Sequence, residues 1–218
     1  MRPLSGQFSI VVVGRWNPFI FSPEWVKNNL IDTANEADHP ITLAYPLNDP
    51  DAPSQLKFDG IQLLPGRSRL DIKPDDLTLS AMCHCGDVIS KCLQQLSHTP
   101  VGALGVNFSF EETNNPESLV TAVTFQDAVN IDSNVFQLGN SEVYRSFSVA
   151  EEIAKLNLRL NMGEPPIIDF NFEMPISNTN EALQHLTHNR ISNFYHKAIN
   201  FAQSVYGLTM DEEEQENE

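Results

Sequence analysis

Two runs of strict alternation constrain this chain more than anything else in it. Leu156, Leu158 and Leu160 are separated by polar residues, and so are Ile168, Phe170 and Phe172. A period of two marks strands with one buried face, and antiparallel sheets are the kind that leave the other face wet. The chain then enters a stripe at helical spacing, from Leu183 and Leu186 through Ile191, Phe194, Tyr195, Ala198, Ile199 and Ala202 to Tyr206, stopped by Gly207. That pattern predicts one helix over about 180–206, capped by Asn178 or Thr179. A half-buried sheet and an amphipathic helix each need a cover, so this part of the chain reads as α+β.

The first half shows the same order of elements. Phe8 to Val13 is a short β-branched run ended by Gly14, and Ser22-Pro23-Glu24 gives a cap, a first-turn proline and an acidic first turn for a short helix over about 23–31. Strands are expected at 41–45, 56–64 and 67–72, with Pro46 to Ser54 as an exposed loop, and Leu77 to Met82 is expected to add another strand. A helix follows from Gly86 or Asp87 with Val88, Ile89, Cys92, Leu93 and Leu96 on its apolar side, stopped at Thr99-Pro100. Val101 to Phe110 is again a strand, and Pro116-Glu117 again opens a short helix. The expectation is a curved antiparallel sheet covered on one face by long helices, built from two similar β-α-β-β-β-α halves, residues 1–100 and 101–210, in the manner of helix-grip or TBP-like folds. Residues 211–218, rich in Asp and Glu, are expected to be a disordered acidic tail.

The formal charge is −16, and Lys and Arg are scattered. Phosphate backbones are bound through clustered basic residues that displace counterions, so direct nucleic-acid binding is not expected. The start of the chain lacks the apolar stretch and cleavage site of a secretory signal, no membrane span is evident, and three cysteines leave an odd thiol; a reducing cytoplasm is the expected compartment.

Three groups of residues stand out as site candidates. Cys83, His84 and Cys85 are the densest set of soft ligands and could attract zinc or copper, although their spacing departs from the usual Cys-x₂₋₄-Cys pairs. The imidazoles of His185, His188 and His196 follow steps of about one helical turn through Ser192 and would face a ligand. Trp16, Phe19, Phe21 and Trp25 crowd a strand-to-helix corner; three of them, Trp16, Phe19 and Trp25, are candidates for contact with a protein partner. Phosphate-loop, dinucleotide, nucleophile-elbow and His-Glu-x-x-His motifs are absent from the sequence, so no cofactor is expected.

Leu104 to Phe108 after a long helix, and Ile168-Asp-Phe-Asn-Phe172 leading into Leu183, Leu186, Arg190, Phe194 and Tyr195, resemble segments of a sporadically distributed family of uncharacterised bacterial cytosolic proteins. The resemblance implies a bacterial or phage-encoded protein of accessory or mobile-element gene content, and carries over no catalytic residue. The functional expectation is a non-enzymatic adaptor, inhibitor or regulator that binds a partner protein, a basic one by charge, or a second copy of itself. The alternative is a ligand-binding protein or enzyme with a cavity between sheet and helices.

Overall fold

The computed structural model describes residues 1–4, 7–31, 40–45, 53–113, 117–124, 135, 141–149, 154–162 and 165–211. The first half contains β1 (Arg2–Pro3), β2 (Ser9–Gly14), a 3₁₀ turn at Pro18–Ile20, α1 (Pro23–Asn29), β3 (Thr42–Ala44), β4 (Gln55–Phe58), β5 (Ile61–Pro65), β6 (Arg69–Pro74) and α2 (Leu79–Gln95). The second contains β7 (Val101–Glu111), α3 (Glu117–Val123), β8 (Glu142–Ser148), β9 (Lys155–Asn161), β10 (Ile167–Pro175), α4 (Thr179–His185) and α5 (His188–Tyr206).

All ten strands join one open, curved antiparallel sheet in the order β3-β4-β5-β6-β2-β7-β10-β9-β8, with β1 alongside β7. The order is mirrored about the β2–β7 pair. In each half the first long strand closes against the last, β2 on β6 and β7 on β10, and the chain between them starts at the sheet's edge, with β3 or β8, and steps inward by hairpins.

Alternation sets the two faces. One row runs across the sheet through Leu43, Leu56, Leu63, Ile72, Ile10, Val106, Phe172, Leu156 and Phe147. This side is covered by the helices: Tyr195 packs on Phe108 and Phe110, Phe194 stacks on Phe172, and Phe201 meets Phe170 and Phe147. The next row, on the opposite face, is polar and bonded side chain to side chain. Ser146 Oγ donates to Asn157 Oδ1 (2.8 Å), Asn157 Nδ2 to Asn171 Oδ1 (3.2 Å), Asn171 Nδ2 to Asn107 Oδ1, and Asn107 Nδ2 to Ser9 Oγ (3.0 Å).

Three local expectations are corrected. The run 56–64 is a hairpin, because Asp59 and Gly60 adopt φ of 46° and 72° and turn the chain between β4 and β5. Residues 79–82 belong to α2: the Thr78 hydroxyl accepts from the Ala81 amide at 3.2 Å and starts the helix well before Gly86. The helix expected over 180–206 is broken between His185 and His188, with Leu186 buried in the corner and its carbonyl against Gly86 of α2. The expected loop falls mostly on residues outside those described, as does the acidic tail beyond Asp211.

Candidate functional site

The aromatic corner after β2 divides its residues between core and surface. Trp16 is 6% exposed, donates its indole N–H to the Val12 carbonyl at 3.0 Å, and meets the ring of Phe21, which Trp25 contacts edge-on at 5.2 Å. Trp16 is therefore part of the core, and its ring is closed to a partner. Trp25 is half-buried against Phe21. Phe19 is different: its ring is 87% exposed. It rides on the 3₁₀ turn, where the Asn17 side chain accepts from the Phe19 amide at 3.2 Å and Pro18 fixes the first position.

Phe19 borders a groove of about 710 Å³ lined also by Pro18, Phe21, Pro23, Tyr45, Pro53, Leu64 and the β5–β6 turn from Pro65 to Arg69. The turn is pinned from both sides, by Gly66 N donating to Arg69 O (2.9 Å) and Trp16 N to Arg67 O (3.0 Å). Among the described residues, the charged groups lining the groove are Arg67, Arg69 and Asp71. Arg69 Nε lies 3.0 Å from Asp71 Oδ2, and the other Asp71 oxygen is fully covered and has no hydrogen-bond partner among the described residues. Burial pushes the Asp71 carboxyl above its ordinary range, against the pull of Arg69 and Lys73. Tyr45, Arg67 and Arg69 went unnoticed in the sequence; the available signal was an Arg-Ser-Arg turn in a chain otherwise poor in basic residues.

A second concavity, of about 950 Å³, opens where α2 meets α5. Because α2 starts at Leu79, Cys83, His84 and Cys85 lie inside a helix, and successive positions diverge around it. Cys83 and His84 line this cleft with Asp87, His188, Tyr195 and His196, whereas Cys85 is fully buried in the core. The three expected metal ligands are thus not gathered, and among the described residues no three His, Cys, Asp or Glu side chains converge to hold a metal. His188 Nε2 donates to the Asp87 carboxylate, 2.9 Å from each oxygen. Burial and then the charge of Asp87 raise the Cys83 thiol, so it is held as a thiol rather than an activated thiolate. His185 sits on α4, across the helix break from His188, and does not line the cleft.

Between sheet and helices the aromatic rings leave a crevice of about 10 Å³ beside Phe8, Phe108, Phe110 and Tyr195, no larger than a water needs. No helix among the described residues is long and apolar enough to cross a membrane. No protein-family model matches the chain, and comparison with curated proteins gives no match.

Proposed function

We propose that this chain is a non-enzymatic interaction protein that seats a segment of a partner protein in the groove beside Phe19. The observation behind this reading is the Phe19 side chain, 87% exposed on a backbone that a capped, proline-started turn fixes in place. Large apolar side chains in water are costly, and a turn whose backbone is already fixed leaves only the side-chain rotamer to order when a partner covers the ring. The groove gives such a segment walls of proline and aromatic carbon at its side. The test is affinity purification of the tagged full-length chain and its Phe19→Ala variant. Proteins retained in stoichiometric amount by the wild type and lost by the variant support the reading; identical retention by both overturns it.

A second reading, favoured by the Asp87–His188 pair in the α2–α5 cleft, is a polar small ligand bound there. A ligand that stabilises the wild type against heat but not His188→Ala would support it, and equal stabilisation of both would remove it.

A further inference from the structure

We propose that the segment seated in the Phe19 groove carries a carboxylate, held by Arg67 and Arg69, next to an apolar side chain that packs between Phe19 and Tyr45. This rests on the groove being the partner site, and it names the partner's chemistry.

The net charge of −16 would by itself favour a basic partner, but the groove departs from the whole molecule. Among the described residues, two of the three charged side chains that line it are arginines. The third, Asp71, is turned inward: its side chain is 9% exposed, one oxygen is engaged by Arg69 and the other is covered. A carboxylate so enclosed cannot reach a cation on a partner. What it can do is hold Arg69 through Nε, leaving the terminal guanidinium nitrogens for a second acceptor while the side chain stays 63% exposed. Asp71 is in that sense a positioning residue. Arg67 has its carbonyl fixed by Trp16, and its guanidinium has no hydrogen bond or ion pair among the described residues.

Two arginines lining one groove suit a carboxylate better than lysines would. The net charge of −16 repels an acidic segment over the molecule as a whole, so its recognition depends on the two arginines of the groove. Pro18, Pro53 and the two rings leave the apolar neighbour of that carboxylate a place out of water.

The experiment is selection from a phage-displayed library of random peptides about a dozen residues long on three immobilised full-length proteins: wild type, Phe19→Ala and Arg67→Glu. The expected result is that wild type enriches peptides with Asp or Glu beside an aromatic or aliphatic residue. The synthetic peptide should bind Arg67→Glu about tenfold more weakly by fluorescence anisotropy. Exchanging its acidic residue for Lys should reverse the preference between the two proteins, an outcome that loss of folding cannot mimic. Asp71→Asn should weaken the acidic peptide without reversing the preference. Peptides that need Phe19 but carry Lys, Arg or no charge would overturn the carboxylate assignment and leave the groove as the partner site. No peptide dependent on Phe19 would overturn both.

Discussion

A methyl group on the α-carbon of Gly86 would sit 2.4 Å from Cδ1 of Ile191, so these two residues set how closely α2 and α5 cross. Ile191 is fully buried and Gly86 is nearly so, which leaves the isoleucine little room to retreat. Gly86→Val is expected to cost about 1–3 kcal/mol through overpacking. Combined with Ile191→Ala, it should cost less than the two changes added together. Urea unfolding of the four proteins measures the coupling, and strict additivity would show that the helices do not meet there.

Trp16 and Phe19 lie three positions apart and should behave as opposites. Trp16→Ala empties a core site and removes the indole bond to Val12, so a loss of about 3–5 kcal/mol is expected. Phe19→Ala should change stability by less than about 0.5 kcal/mol, because the ring covers almost nothing. A large loss at Phe19 would mean that the ring belongs to the fold.

Asp71 makes stability depend on pH in an unusual direction for a carboxylate. Its folded-state pKa is raised above the ordinary 3.8, so the fold holds the proton more tightly than the unfolded chain does. The stabilising contribution is complete below that ordinary value and is lost as pH rises through the folded value. The stability of wild type minus that of Asp71→Asn should therefore fall as pH is raised from about 4 towards neutrality. A flat difference, measured by denaturant titration at several pH values, would rule this out.

The three thiols should separate by reactivity. Cys85 and Cys92 are buried and pushed far above the ordinary thiol range, while Cys83 is half-buried and raised by burial and by Asp87. With a chromogenic disulfide reagent at mildly alkaline pH, Cys83 should react slowly and the other two only on unfolding. Asp87→Asn should speed Cys83. An unchanged rate would remove the electrostatic part of the explanation.

The side-chain ladder on the open sheet face is expected to be worth little per link and more as a chain. Asn171 joins Asn157 to Asn107, so Asn171→Ala breaks two bonds in half-buried surroundings and should cost about 1–3 kcal/mol. Ser146→Ala, at the exposed end, should cost less than about 1 kcal/mol. Equal losses at both positions would show that the bonds act independently of their place in the row.

Legibility in the sequence followed the length of the periodic signal. The alternation at Leu156–Leu160 and Ile168–Phe172 located β9 and β10, and the repeated order of elements led to one sheet with both long helices on one side. The break after His185 was hidden because Leu183, Leu186 and Ile191 read as one stripe; the step of five from Leu186 to Ile191 is where the helical phase slips. The Thr78 cap was masked by apolar residues on both sides that look like a strand, and Asp59-Gly60 is a hairpin signal lost inside a longer apolar run. The groove was illegible for another reason. Its lining comes from a 3₁₀ turn, the residue after β3 and the β5–β6 turn, and no pattern within any one segment records that they meet.

The mirrored strand order has a consequence for how the chain holds itself together. Each half finishes its hairpins internally, and the main-chain seam between them is mostly the pairing of β2, helped by β1, with β7, together with bonds from Met1 to Thr209 and Asp211. Cutting the connection at Thr99 would leave two fragments, each with one bare strand edge whose natural cover lies on the other. Such fragments, expressed apart, are built to find each other, as the two sides of a single closure.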